Sequence, residues 1–207
     1  MKVLFFSDTH GSSVSLERAV ELEGRFGLDL VCISGDFSSG QACYEPLFDY
    51  LRDRGIACAF VSGNCESRDL CRRISRTYPA EYLDYRQECF DGLLIAGIAG
   101  YDIFSAERAA NIEAFIASGV DFKGAGYRVL LTHEPAFPWE YHGRTVGSAG
   151  VSRFLESFPF DVVASGHLHE SEVRLEPSRQ GTARLNAGRG GCLLEIDISR
   201  RCFGVLA

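Results

Sequence analysis

Two histidines close the stretch DVVASGHLHES, which runs from Asp161 to Ser171. His167 and His169 are separated by one leucine, and residues i and i+2 of an extended chain point to the same side. One site can therefore use both imidazoles. The alternative is that both histidines are ordinary polar residues of a loop, because so short a pattern arises readily by chance.

Four other apolar runs also end in polar side chains with useful chemistry. Asp8 and His10 follow VLFFS, Asp36 follows LVCIS, Asn64 follows ACAFVS and His133 follows VLLT. Ligands of open α/β sheets gather outside the carboxyl ends of the strands, so we expect these side chains to converge in one crevice. Four of the five histidines of the chain lie at such strand ends.

Together these side chains predict a metal site. Imidazole nitrogens mixed with carboxylate and amide oxygens suit Mn²⁺, Fe²⁺, Ni²⁺ or Zn²⁺ better than Ca²⁺. The set is too large for one tetrahedral ion and fits two ions that share a bridging carboxylate. Two members also suit other roles: Asp36 could be a turn residue after glycine, and Asn64 could cap a helix that begins near Ser67.

The elements that must position these residues follow from an alternation of apolar and amphipathic stretches. Runs such as KVLFFS and LVCIS are each followed by a helix-like segment, which is typical of βαβ units with parallel pairing. The Asp91-Gly92 pair between two apolar runs predicts a hairpin. After His169, the runs EVRLE, ARLNA, CLLEIDIS and RCFGVLA predict an antiparallel meander.

These elements predict one α/β domain over residues 1–207. We expect two packed mixed β-sheets flanked by helices, a four-layer α/β/β/α sandwich, with one sheet rich in parallel pairs. A chain of 207 residues with 46% hydrophobic residues is large enough to bury a substantial core.

Composition excludes some classes of partner and compartment. The formal net charge of −7 and the lack of a Lys/Arg block argue against binding to extended duplex nucleic acid or to an anionic membrane. The apolar run Val3–Phe6 is too short for a signal peptide or a membrane span, so we expect a cytoplasmic protein.

Eight scattered cysteines without a CxxC pair predict reduced thiols and no thiolate zinc site.

The ordered clusters resemble the calcineurin-like metallophosphoesterase superfamily. Its pattern is DxH, GD, GN followed by His or Cys, a lone His, and GHxH. Here the corresponding stretches read SDTH, SGDFSSG, SGNCES, LLTHEP and SGHLHES. The resemblance extends from Ser7 to the NAG stretch at residues 186–188, where similar proteins have NPG.

The resemblance implies a binuclear site with a role for each residue. Asp8, His10 and His169 would hold the first divalent ion, and Asn64, His133 and His167 the second. Asp36 would bridge the two ions. Manganese is the favoured metal. Such a pair lowers the pKa of a shared water to give a bridging hydroxide near neutral pH, and it clamps the oxygens of an in-line displacement at phosphorus. Glycines 35, 63 and 166 would let the backbone turn tightly beneath the ions.

Cys65 stands where many relatives have the histidine of GNH. A thiol is a poor donor with an ordinary pKa above neutrality, so the leaving group would receive little protonation. Together with Asp36 and Asn64, Cys65 belongs to the predicted catalytic set, and GNC is similar to small phosphodiesterases. The alternatives are that Cys65 fills space under the metals or, least expected, acts as a nucleophile.

The predicted activity is phosphodiester hydrolysis of a small-molecule or nucleotide substrate. One alternative is a phosphomonoesterase that acts on a nucleotide, a metabolite or a phosphoprotein. Another is a non-catalytic scaffold that keeps the fold, as in a retromer subunit of this superfamily. Relatives often form dimers or larger assemblies, so a homo-oligomer is also expected.

The irregular segment after His133 could shape the substrate pocket. Phe137, Trp139 and Tyr141 could stack on a base or an aryl leaving group, while His142 or Arg144 could contact a phosphate oxygen. The alternative is that the aromatic side chains pack on the protein or at a subunit contact and that His142 is solvated. The Tyr101-Asp102 pair after the IAGIAG strand raises the same question.

Overall fold

The computed structural model describes residues 1–39, 44–169, 173–177 and 181–207. Within this part of the chain the helices are α1 (Val14–Phe26), α2 (Glu45–Arg54), α3 (Arg68–Thr77), α4 (Arg108–Ser118) and α5 (Ala149–Ser157). The strands are β1 (Lys2–Phe6), β2 (Leu30–Ser34), β3 (Ala57–Val61), β4 (Ala80–Tyr82), β5 (Arg86–Phe90), β6 (Leu93–Ile98), β7 (Tyr127–Thr132), β8 (Trp139–Tyr141), β9 (Arg144–Val146), β10 (Val162–Ser165), β11 (Arg174–Pro177), β12 (Ala183–Asn186), β13 (Cys192–Asp197) and β14 (Cys202–Val205).

Two six-stranded sheets carry the architecture, and both are mixed. The first has the order β14-β13-β1-β2-β3-β4, in which β1 to β4 run parallel and β13 and β14 are antiparallel. The second has the order β11-β12-β10-β7-β6-β5, with a parallel centre and an antiparallel strand at each edge. The predicted α/β fold with two mixed sheets is confirmed.

Alternation along the strands explains the layers. In β1, Val3 and Phe5 belong to the core between the two sheets, while Leu4 and Phe6 face the core under α1, α2 and α3. The outer face of the second sheet packs in the same way against α4 and α5. Each sheet is therefore covered on both faces, as the four-layer sandwich requires.

Residues at the ends of helices and strands explain where these elements begin and stop. Gly27 and Gly55 end α1 and α2 with positive φ angles of 72° and 66°. Ser67 begins α3, and its side chain accepts a hydrogen bond from the Leu70 N–H. Asn64 is therefore not the cap of this helix. The predicted Asp91 hairpin is confirmed, because β5 and β6 pair antiparallel across that turn.

The predicted antiparallel meander after His169 is confirmed within two strand pairs, β11 with β12 and β13 with β14, but it is wrong as one continuous meander. The two strands β11 and β12 pair antiparallel, but β12 also runs parallel to β10 in the second sheet. The chain then crosses to the first sheet, where β13 pairs with β1. Turn signals do not reveal such a crossing, because they report where a strand ends and not which sheet the next strand joins.

Three short strands were missed by the sequence analysis. Strand β4 lies at the edge of the first sheet, and β8 pairs with β9 in a hairpin within the segment predicted to be irregular. Each has three residues, too few to show alternation. Gly40 and residues 170–172, which end the quoted SGDFSSG and SGHLHES motifs and begin EVRLE, lie outside the described residues.

Two further expectations concern cysteines and membranes. The described cysteines are free thiols, and Cys32 and Cys58 are buried in strands as expected. Among the described residues, none of the helices is both long and apolar enough to cross a bilayer.

Close approach of the sheets at Gly97 gives a test of the packing. A Cβ there would lie 2.5 Å from the Leu83 carbonyl oxygen and 3.0 Å from Val61 Cγ1, both on the first-sheet side. Gly97→Ala is expected to lower the free energy of unfolding in urea by about 1–3 kcal/mol through overpacking. Gly24→Ala is the control, because open space surrounds this position in α1. It should raise stability by about 0.5–1 kcal/mol. Equal stability of Gly97→Ala and the unchanged protein would contradict this packing.

Candidate metal centre

The seven side chains predicted to bind metal meet at one end of the packed sheets, and each follows the carboxyl end of a strand. They are Asp8 and His10 after β1, Asp36 after β2, Asn64 after β3, His133 after β7, and His167 and His169 after β10. The first sheet thus supplies four of these residues and the second sheet three.

One group of ligand atoms forms around Asp8, His10 and His169. The Nε2 atoms of the two histidines are 3.0 Å apart, and His169 Nε2 lies 3.4 Å from Asp8 Oδ1. With Asp36 included, the ligand atoms all lie within 4.8 Å of one another. Imidazole nitrogens and carboxylate oxygens at this separation form a possible site for a divalent cation.

A second group forms around the amide oxygen of Asn64. Its Oδ1 lies 3.1 Å from His133 Nε2 and 3.2 Å from His167 Nδ1. His133 Nδ1 is 2.7 Å from the Ser34 carbonyl oxygen and donates to it, so the Nε2 atom is the one that faces the site.

The carboxylate of Asp36 lies between the two groups. Its Oδ2 is 3.9 Å from His10 Nε2 and 3.5 Å from His133 Nε2, and the residue is buried. Burial opposes ionisation, but His133 and the Cys65 N–H hold the pKa of Asp36 below its ordinary range. An ionised carboxylate between imidazoles needs positive charge nearby, which a divalent ion or a protonated His133 supplies. The residues present therefore fit a metal.

Backbone strain is concentrated in the same place. Left-handed φ angles are uncommon in residues other than glycine and cost about 1–3 kcal/mol where the conformation is sparsely populated. Five of the seven side chains belong to residues with such angles, namely Asp8 (55°), His10 (47°), Asp36 (51°), His167 (70°) and His169 (46°).

Glycines make room for these turns, as the sequence predicted. A Cβ on Gly63 would overlap the Asp36 carboxylate, and a Cβ on Gly166 would lie 2.5 Å from Asp8 Oδ2. At Gly35, where φ is 86°, a Cβ would lie 2.8 Å from His133 Nδ1. Any larger residue at these three positions would displace a side chain of the candidate centre.

Glu66 supports the centre from below and was not assigned a role by the sequence analysis. Its Oε2 accepts hydrogen bonds from the N–H groups of Asp36 at 3.0 Å and Gly63 at 2.8 Å. Its Oε1 accepts from the Ser38 N–H and hydroxyl, both at 2.9 Å. One buried carboxylate thus joins the loops after β2 and β3. Burial raises the pKa of Glu66, and its backbone donors oppose that shift.

A weak signal for Glu66 was present in the SGNCES motif. An acidic residue two positions after Asn64, close to a predicted site, is a candidate for a buried role. Its partners lie 28 and 30 residues earlier in the chain, so only the folded structure reveals them.

Cys65 lies beside the first group. Its Sγ is 3.8 Å from His10 Nδ1, and its backbone N–H donates to Asp36 Oδ1 at 2.9 Å. Desolvation by neighbouring atoms and the nearby Asp36 carboxylate raise the pKa of this exposed thiol to about 12. These carboxylate surroundings oppose formation of a thiolate, which is the nucleophilic form of cysteine.

The suggested stacking role of Trp139 is wrong. This side chain is 1% exposed, and the guanidinium carbons of Arg174 and Arg184 lie 4.7 and 4.8 Å from its ring centre. Its ring packs on the protein, which was the alternative interpretation. Phe137 is 49% exposed, and His142 is exposed at the turn between β8 and β9.

Asp102 is a structural residue. Its carboxylate accepts hydrogen bonds from Tyr85 at 2.8 Å, Arg108 at 2.9 Å and Asn111 at 2.6 Å. It is buried, so it is not available to a substrate.

Comparison with known proteins identifies the class. The sequence model of the calcineurin-like phosphoesterase family matches residues 1–171. The chain belongs to this family, whose members are metal-dependent. The cluster of Asp8, His10, Asp36 and His169 is a possible metal site of the kind that this membership implies. No curated protein shows a significant sequence match to the chain.

Solved structures share the fold at low sequence identity. The protein TT1561 of Thermus thermophilus is 17% identical with a TM-score of 0.75, and the alignment covers 99% of this chain and 97% of that one. A protein described as a novel archaeal phosphodiesterase is 16% identical with a TM-score of 0.52, over 100% of this chain and 99% of that one.

The hydrogen bonds of Glu66 give a prediction for the centre. Glu66→Gln keeps the shape but replaces one acceptor oxygen with an NH₂ group, which leaves a buried N–H without its partner. We expect the free energy of unfolding to fall by about 1–3 kcal/mol and Mn²⁺ affinity, measured by calorimetric titration, to weaken.

The control is Glu81→Gln, because the Glu81 side chain on β4 is 44% exposed. Its effect should stay within about 0.5 kcal/mol. If Glu66→Gln and Glu81→Gln behaved alike in both measurements, Glu66 would have no supporting role.

Proposed function

We propose that the protein is a phosphodiesterase that works with two divalent metal ions. The observation that carries this proposal is the position of Asp36, whose Oδ2 faces His10 from one group of ligand atoms and His133 from the other. A carboxylate shared in this way is suited to hold two cations side by side.

The two groups of ligand atoms suggest how the ions would be held. Asp8, His10 and His169 would bind one ion, while Asn64, His133 and His167 would bind the other, and Asp36 would contact both. When bound, such ions make a nucleophilic water available near neutral pH and offset negative charge on the phosphoryl oxygens. Manganese is the favoured metal, with iron, nickel and zinc as alternatives.

The chain itself contributes orientation. The bond from His133 Nδ1 to the Ser34 carbonyl fixes the imidazole so that Nε2 faces the site. The low pKa of Asp36 keeps this carboxylate ionised at neutral pH and ready to bind a cation. Glu66 holds the loops that carry Asp36 and Asn64 at a fixed separation.

The neutral thiol of Cys65 supports a preference for diesters. A thiol is a poor hydrogen-bond donor, so it gives little help in protonating an alkoxide as it leaves. Diesters with acidic leaving groups need no such help. We therefore favour a small phosphodiester or nucleotide substrate over an alkyl monoester. Cytoplasmic location and a homo-oligomeric state stay predictions of the sequence.

The first test uses Asp36→Asn, which keeps the size and removes the charge. Metal-stripped protein is supplied with Mn²⁺, Ni²⁺ or Zn²⁺ and assayed with bis(p-nitrophenyl) phosphate and p-nitrophenyl phosphate. We expect metal-dependent diester cleavage in the unchanged protein. In the variant, kcat/KM should fall more than about 100-fold. Mutation of a residue that only hydrogen-bonds to a metal ligand usually costs less than this.

Asp53→Asn is the matched control, because the Asp53 side chain on α2 is 66% exposed. Elemental analysis should find two ions per chain in the unchanged protein and fewer in Asp36→Asn. One ion per chain would contradict the binuclear proposal. Two bound ions without hydrolysis of either ester would favour the scaffold, and faster monoester turnover would favour a phosphomonoesterase.

The second test restores a proton donor at position 65. Cys65→His is expected to raise kcat for glycerol phosphate, an alkyl monoester, by about 10- to 100-fold, because imidazolium can protonate the leaving alkoxide. Turnover of bis(p-nitrophenyl) phosphate should change little, since p-nitrophenolate leaves without a proton. Cys65→Ser is the size-matched comparison and should not reproduce the gain. An equal rise for both esters would show that leaving-group protonation is not the missing step.

A further inference from the structure

We propose that Phe104 is a stacking platform for a planar aromatic group of the phosphoester substrate, a nucleobase or an aryl ring. The inference rests on the proposed function, because it assigns the part of the substrate that lies beside the phosphate. It also replaces the role that the sequence suggested for Trp139, whose ring is buried and contacts two arginines.

The position of Phe104 carries the inference. The residue is 84% exposed, and its ring centre lies 6.5 Å from that of His167 at an interplanar angle of 58°. His167 in turn lies 3.2 Å from Asn64 through its Nδ1 atom. A single exposed aromatic residue is ordinary on a protein surface, but this one stands at the rim of the candidate centre. The contact with His167 leaves most of the Phe104 ring in water.

The loop that holds Phe104 is firmly anchored. The N–H groups of Gly100 and Tyr101 donate to the carbonyl and hydroxyl oxygens of Ser62 at 2.8 and 3.0 Å. Ser62 lies two residues before Asn64, so one segment supports both the ligand and the platform.

The other side of this loop is fixed by a buried ion pair. Arg108 donates to Asp102 at 2.9 Å and to the Ala99 carbonyl at 2.8 Å, and it also pairs with Glu134 at 2.6 Å. Glu134 directly follows His133 in the chain. These bonds fix the backbone on both sides of Phe104, while the ring itself stays exposed. A ligand that stacks on the ring therefore has to order one side chain and not the whole loop.

The chemistry of an aromatic face selects the ligand class. Phenylalanine offers no hydrogen bond, so it discriminates by shape and polarisability and favours flat rings. Stacking of a base on an aromatic side chain is worth about 1–3 kcal/mol, which corresponds to roughly 5- to 150-fold in affinity. A phosphate at the centre and a ring over Phe104 would be recognised together.

The test measures binding of phosphonates, whose carbon–phosphorus bond a phosphoesterase does not hydrolyse. Calorimetry on Mn²⁺-loaded protein compares phenylphosphonate with methylphosphonate and with cyclohexylphosphonate, which is apolar but not flat. We expect phenylphosphonate to bind roughly 5- to 150-fold more tightly than methylphosphonate. Phe104→Ala should abolish this preference without weakening methylphosphonate, and Phe104→Tyr should restore it.

Several results would overturn the inference. They are equal binding of phenyl- and cyclohexylphosphonate, a preference that survives in Phe104→Ala, and loss of the preference in Phe137→Ala instead. Methylphosphonate would still bind in each of these cases, so the proposed function would not be contradicted. Failure of every phosphonate to bind would reject the phosphate site itself, and the inference with it.

A final comparison separates the two sources of a flat ring. The phosphonate analogue of uridine 5′-monophosphate is titrated against that of ribose 5-phosphate. A preference for the uridine compound that depends on Phe104 identifies a nucleobase. A preference limited to phenylphosphonate identifies an aryl ester.

Discussion

The candidate centre depends on contact between the two sheets at the end of β2. Ser34 donates from its hydroxyl to the Ala164 carbonyl of β10 at 3.2 Å, and its own carbonyl accepts from His133 at 2.7 Å. Both bonds are buried and join one sheet to the other. If the sheets slid past each other, the histidines of the second sheet would leave the aspartates of the first. The interleaved apolar core, from Val3 and Phe5 outward, prevents that movement.

Unfavourable backbone conformations at the predicted ligands are offset by buried hydrogen bonds in the same region. Left-handed turns at five of the predicted ligands are unfavourable in themselves, and the crowded glycines beside them leave no room for a side chain. The buried carboxylate of Glu66 offsets part of this cost through four hydrogen bonds to two loops. The outcome is a cluster of imidazole and carboxylate groups held in place by buried hydrogen bonds to the backbone that carries them.

Charged and uncharged groups of the candidate site would contact different parts of a phosphoester. Asp36 stays ionised and attracts cations, which in turn suit a phosphate. In the proposals made above, Cys65 and the apolar ring of Phe104 act on the organic part of an ester. Cations held by Asp36 and its neighbours would allow a chain with a net charge of −7 to bind an anionic substrate.

The sequence by itself determined the family, the α/β class and the seven polar residues at strand ends. Each signal was local: apolar runs define strands, and a motif directly after a run falls at the carboxyl end. Only the tertiary structure decided which strands share a sheet, because β12 and β13 are close in sequence yet join different sheets. It also decided the hydrogen-bond partners of Glu66, the burial of Trp139 and the exposure of Phe104. Burial and contact depend on residues far away in the chain, and periodicity within one segment does not contain that information.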